Sequence, residues 1–251
     1  MTKVVDLHKD PYRIRRRGRP RFTDEELQRL RGYPHMLSIG SPQRTIRYRV
    51  DDWFHIGPVY DDNKELWELE QPWIRTRDLF AWIDHGNECV GAVEIHAYQG
   101  STNLDEDWIV ELFDSYSLYC LELGKTISSC WSEDPAVLFD YGEVIDLMHI
   151  WLEEPRFLNG IRDVLFDTFI PALTEQHSIL ISKAYPLEYE GEVPEGDPSK
   201  VGLNKRQQAM IRLAGQQIGV KPLPGEFGDN GWLWRANPKV ARYIGKPKAS
   251  A

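Results

Sequence analysis

Residues 143–152 read Glu-Val-Ile-Asp-Leu-Met-His-Ile-Trp-Leu, a dense apolar run with three groups that can carry protons: Glu143, Asp146 and His149. Carboxylates and imidazoles are the side chains that do acid–base work near neutral pH. Asp146 is an acid in a run otherwise ready to be buried, so it needs a partner or a role. Its structural use would be a strand carboxylate bonded to a nearby Arg or to a backbone N–H. The two-residue period of a strand puts Asp146, Met148, Ile150 and Leu152 on one face and His149 on the other. A second group is basic. Arg13, Arg15 and Arg16 offer phosphate contacts with a steep salt dependence, and Arg17, Arg19 and Arg21 follow them. His85 and Cys89 flank a turn, but no third ligand is evident, so no metal site is expected.

The charge is unevenly spread. The chain has 251 residues and a formal net charge of -9. Residues 1–49 hold 13 Lys+Arg against 5 Asp+Glu, a net of +8, and the remainder has a net of -17. An acidic body therefore carries a basic arm, which points to an interaction segment at one end. At 41% hydrophobic and 12% aromatic, the chain can bury a core, so global disorder is excluded. No apolar run is long enough for a membrane span or a secretory signal. Cys89, Cys120 and Cys130 form no CxxC pair, which fits a reducing cytoplasm rather than a disulfide scaffold.

These groups need elements to position them. Thr23 with Glu26 forms a capping box and predicts a short helix from Asp24 to Arg31. Ile46 to Val50 alternates with Arg as an edge strand would, and residues 57–76 look mostly irregular. Leu79–Ile83 and Cys89–Ile95 flank a Gly/Asn turn and predict a hairpin. Asn103, with Glu106, caps a helix whose buried face carries Trp108, Ile109, Leu112, Phe113, Tyr116 and Tyr119. Val144 to Leu152 reads as a central strand, followed by a loop and a helix carrying Ile161, Val164, Leu165, Phe169 and Leu173. Ser178 to Ala184 is a second strand. Residues 188–202 form a loop. Leu203 to Ile218 is a helix with Met210, Ile211, Leu213 and Ile218 inward and Gly219 as its cap. Gly231 to Arg235 closes as a strand, with Trp232 and Trp234 on one face.

The strand–loop–helix at 144–173, then strand, helix and strand, resembles the GNAT acyltransferase superfamily. That family follows a central strand with an Arg/Gln-x-x-Gly-x-Gly/Ala loop that opens a helix. Here the loop reads Arg156-Phe157-Leu158-Asn159-Gly160-Ile161-Arg162. Ser182–Gly191 and Gly219–Pro224 are similar to segments of a set of uncharacterised GNAT-like bacterial proteins. The resemblance covers roughly residues 78–235, strongest from Glu143 onward. It implies an α/β (α+β) fold with a central mixed sheet flanked by helices over 41–251, preceded by a basic arm with a short helix over 1–40.

The resemblance further implies acetyl-CoA as acyl donor, an amine as acceptor, and a base on or near the central strand. Leu152, Arg156, Asn159, Gly160, Ile161 and Arg162 would line the cofactor, with helix N-terminal N–H groups cradling its pyrophosphate. Glu143, Asp146 and His149 are the candidate bases. Aligned on Gly160, the family's first glycine falls on Leu158 and its last Gly/Ala on Arg162. Arg162 either pairs with a phosphate or fills its place. The family's Tyr acid lies on the helix that spans Leu203–Ile218 here, and that helix has no Tyr. Separately, Arg17-Gly18-Arg19-Pro20-Arg21 resembles an AT-hook, in which Arg enters a narrow A·T minor groove and Gly avoids a clash at its floor. The expected function is acyl-CoA-dependent N-acyltransfer in the cytoplasm, with no membrane contact. The rival is an inactive GNAT-like binding or assembly module, with DNA contact through residues 13–21 compatible with either.

Overall fold

The computed structural model describes residues 35–38, 44–56, 72–85, 88–131, 134–152, 169, 177–184 and 199–248. Among them, nine strands build one mixed sheet: β1 (His35–Ser38), β2 (Arg44–Val50), β3 (Phe54–Ile56), β4 (Ile74–His85), β5 (Glu88–Gly100), β6 (Glu143–Leu152), β7 (His177–Lys183), β8 (Lys221–Pro222) and β9 (Trp232–Ala236). Their order is β1-β2-β4-β5-β6-β7-β9-β8, with β3 pairing on β4 beside β2. Every pairing is antiparallel except β6 with β7. A parallel pair needs a crossover. Within the intervening residues, Phe169 is described, and it is fully buried with its ring edge-on to Tyr48 at 5.3 Å.

The hairpin expected around residue 86 is β4–β5, longer than the apolar runs suggested. Two readings change at its borders. β2 is internal, because β1 covers its outer side. Its arginines are tolerated there: Arg47 pairs with Asp84 at 2.6 Å, and Arg49 pairs with Asp51 and lies over the Phe80 ring. The stretch expected to be irregular as far as residue 76 is already strand from Ile74, held by β3.

The single helix expected after Asn103 is two helices, α1 (Glu106–Asp114) and α2 (Leu118–Cys130). The cap of α1 is Asp105, whose carboxylate accepts from Trp108 N at 2.8 Å, and Glu106 and Asp107 in the first turn favour its dipole. Serines break the run. Ser115 Oγ donates to the Leu112 carbonyl, and Ser117 Oγ accepts from Cys120 N, so each prefers a helix end to its interior. Tyr116 in the break is consequently exposed. Gly124 lets α2 lie close on α1, for a Cβ there would sit 2.9 Å from Phe113 Cβ.

The core has two halves, one on each face of the sheet. One face carries Tyr98, Val144, Ile179, Ile181, Trp232 and Trp234 beneath α1, α2 and α3 (Val137–Asp140). The two tryptophans share this face as expected and pack on Tyr119 and Trp131. The other face carries Ile46, Leu79, Ile95, Ile145, Leu147, Leu180 and Leu233 with Phe169 and Ile218. Ile218 ends α4 (Ser199–Ile218), and Gly219 follows with a φ of 69°. Ile211 and Ala214 share the inward face of α4, while Met210 is exposed against expectation, about 100° round the helix from Ile211. The Leu213 side chain lies outside the described residues, as do residues 1–34 of the arm with the short helix expected at 24–31, and most of 153–176. The chain closes with α5 (Glu226–Asp229) and α6 (Ala241–Ile244).

Candidate active site

β6 is central, as its apolar sequence required, but it is not regular. Its register against β5 runs His96↔Asp146, Ile95↔Leu147, then Glu94↔His149, so Met148 is an extra, unmatched residue. One extra residue reverses the alternation beyond it. His149 was expected on the face opposite Asp146; the bulge turns it onto the same face. Glu94, His96 and Tyr98 meet the pair there, since they alternate along β5.

The result is a polar network inside an otherwise apolar face. His149 Nδ1 donates to Glu94 Oε2 at 2.8 Å. His96 Nε2 lies 3.5 Å from Glu94 Oε1 and 3.5 Å from Asp78 Oδ1 on β4. His96 Nδ1 is 3.3 Å from the Tyr98 hydroxyl, which is 3.7 Å from Cys120 Sγ on α2. Tyr119, also on α2, donates its hydroxyl to Asp146 Oδ1 at 3.1 Å. Asp146 is fully buried, and its Oδ2 has no hydrogen-bond partner among the described residues. The structural use expected for Asp146, a bond to Arg or to a backbone N–H, is therefore replaced by a tyrosine.

Proton affinities diverge within this network. Burial raises the Asp146 carboxyl to about 7, with the charges of His96 and His149 and the Tyr119 bond countering only part of the rise. Burial also pushes Glu94 upward, but bonds from His149 and His96 and their charges outweigh it and hold Glu94 at about 2. Neighbouring carboxyls driven apart in this way take different roles. Glu94 stays ionised and orients His149, while Asp146 exchanges its proton near neutrality. Burial drives the Tyr98 and Tyr119 hydroxyls well above their ordinary range, with the charge of Asp146 adding to it. Both therefore act as neutral hydrogen-bonding groups. The His149 side chain is 19% exposed and is the member of the Glu94–His149 pair nearer to solvent.

The β6–β7 ladder stops beside the network. The parallel ladder ends at Asp146↔Ile181. Beyond it β6 stays paired with β5 as far as Leu152 opposite Gly91, while Ser182 and Lys183 pair with β9. Ser182 Oγ donates to the Leu147 carbonyl at 2.9 Å where the ladder stops. Lys183 reaches from β7 to Glu122 of α2 in an ion pair over the Trp232 ring. A groove of about 400 Å³, lined by Gln208, Ile211, Leu223 and Asp229 among others, lies between α4 and the β8–α5 segment and holds no residue of the network.

The other sequence candidates fall elsewhere. Glu143 lies on the opposite face, 3.1 Å from Arg77, and takes no part in the network. Burial raises its carboxyl, and the Arg77 charge and bond pull it back. Leu152 ends β6, but its side chain lies outside the described residues. So do Arg156, Asn159, Gly160, Ile161 and Arg162, and so do Arg17, Gly18, Arg19, Pro20 and Arg21. Among the described residues, no group of three His, Cys, Asp or Glu is placed to hold a metal ion. Sequence reasoning missed Glu94, His96, Asp78 and Tyr119. The signal for two of them was present: Glu94-Ile95-His96-Ala97-Tyr98 alternates polar with apolar along a strand. No family model, curated protein or solved structure matches the chain. Among the described residues, no helix is long and apolar enough to cross a membrane.

Proposed function

We propose that the chain is an acyl-CoA-dependent N-acyltransferase of GNAT type that moves an acetyl group from acetyl-CoA to an amine, acting in the cytoplasm. The observation that carries this reading is the end of the β6–β7 ladder at Asp146, beside a bulge that gathers Asp146, His149 and Glu94. In this reading the extended thioester lies along β6 beyond the end of that ladder. β-Bulges recur next to active sites because they re-aim side chains.

The chemistry assigned to the residues is simple. The amine nitrogen attacks the thioester carbonyl carbon, the C–S bond breaks, and the coenzyme leaves as its thiol. His149 takes the proton the amine loses and passes it to the departing thiolate. Its Nδ1 proton is given to Glu94, so the basic lone pair is on Nε2, and the carboxylate steadies the imidazolium that forms. Asp146 and Tyr119 fix the floor of the site. Glu143, paired with Arg77 on the far face, has no role in this reading.

Calorimetric titration of the full chain with acetyl-CoA, followed by thiol release with a panel of amines, tests it. His149→Ala should lower kcat by about 100-fold or more while leaving acetyl-CoA affinity within a few-fold. A chain that does not bind acetyl-CoA defeats the proposal. Binding without turnover on any amine favours the rival, an inactive module of the same fold.

A further inference from the structure

The Glu94–His149 pair is only as well oriented as the second oxygen of Glu94, and that oxygen faces His96. The His96 ring is buried. Its Nε2 faces two carboxylate oxygens, Glu94 Oε1 and Asp78 Oδ1, both at 3.5 Å and both acceptors. Its Nδ1 faces the Tyr98 hydroxyl, which in turn lies against Cys120 Sγ, and either of these contacts can run in either direction. Nε2 must carry a proton, since both carboxylates only accept, and a ring N–H held between two carboxylates favours the imidazolium.

We propose that His96 is a standing imidazolium that positions Glu94 for His149 and sets the charge against which His149 takes up its proton. This rests on the acyltransferase reading for its purpose, though not for its electrostatics. The groups acting on His96 are Asp78 on β4, Glu94 and Tyr98 on β5 and Asp146 on β6; His149, Tyr119 and Cys120 stand one contact further out, on Glu94, Asp146 and Tyr98. Arg49 and Asp51 act on Asp78 from the β2 side. Burial disfavours the charge on His96, but the Glu94 bond and the charges of Asp78, Asp146 and Glu94 outweigh it, so the ring holds its proton above the ordinary histidine value. With Glu94 and Asp78 ionised, His96 balances one negative charge, and His149 in its protonated form balances the other.

The experiment is histidine ring nitrogen NMR on the full chain, across pH 5–9, beside the pH profile of acetyl transfer. Wild-type His96 should show two protonated nitrogens at pH 7. Asp78→Asn should move its titration to lower pH. His96→Gln removes a cation near His149, so the His149 titration and the acid limb of the rate should both move up by about one pH unit. His96→Lys, which keeps the charge, should hold the limb near its wild-type place. A neutral His96 in the wild type at pH 7, or a His149 titration unmoved in a folded His96→Gln chain, overturns the proposal. The wild-type and Asp78→Asn spectra decide it even if His96→Gln does not fold. A wild-type chain with the imidazolium signature but no acetyl-CoA binding supports the assignment for His96 and overturns only the acyltransferase reading.

Discussion

Asp146 keeps its proton to about pH 7 in the fold, whereas an exposed aspartate in the unfolded chain loses its own near pH 4. Between those values the native state binds the extra proton, so stability falls as pH rises and levels off above about 7. Asp146→Asn removes the ionisable group and keeps an oxygen for the Tyr119 hydroxyl. Its stability relative to wild type should therefore improve from pH 5 to pH 8 by on the order of 3 kcal/mol, read by urea denaturation at each pH. Glu94 has the opposite sign. Its lowered value contributes stability above the ordinary glutamate range, lost as pH falls toward 2. Glu94→Gln should thus be less stable than wild type at pH 7 and close to it at pH 2. Asp146 was legible as an acid in an apolar run. Tyr119 was not legible as its partner, because that bond joins a helix to a strand 27 residues away. The face of His149 was misread because the bulge at Met148 carries no glycine or other mark in the sequence.

The bulge is a property of the β5–β6 pair, so its test belongs to the strand. Deleting Met148 leaves Leu147 and His149 adjacent, opposite Ile95 and Glu94, and flattens β6. The chain should still fold with a modest loss of Tm, while acetyl transfer falls by about tenfold or more, since small displacements of an oriented base are costly. A deletion variant as active as wild type would show that the bulge is incidental. The α1–α2 contact makes a second case. Gly124→Ala gains about 1 kcal/mol in helix propensity but drives a methyl against Phe113 Cβ and the Ile109 carbonyl. Those atoms belong to packed helix and cannot swing aside, so a net loss of about 1–2 kcal/mol is expected by chemical denaturation. Periodicity had joined these helices because Ile109, Leu112, Phe113, Tyr116 and Tyr119 keep a helical spacing across the break. The two serine caps were the contrary signal.

For the whole molecule, the succession of long strands along the chain was the most legible property. β4 and β5 follow from two apolar runs about a Gly/Asn turn, and β6 and β7 from two further apolar runs. β1 and β3 did not, being too short to show a period. The polarity of charge belongs at this scale too. If the AT-hook-like segment meets DNA, replacing Arg17, Arg19 and Arg21 by Ala in the full chain should weaken binding to an A·T-rich duplex. It should also reduce the salt slope by about 2–3, as measured by fluorescence anisotropy. An unchanged slope overturns that contact. The parallel ladder between β6 and β7 has one more consequence, which concerns synthesis. β1 to β6 emerge from the ribosome before β7 exists. Until then β6 presents Val144, Ile145 and Leu147 on an open edge, the kind of template on which nascent chains stick to one another. The nascent chain is thus most vulnerable between the appearance of Leu152 and that of Lys183, and a chaperone that shields β6 over that interval would raise the yield of folded protein.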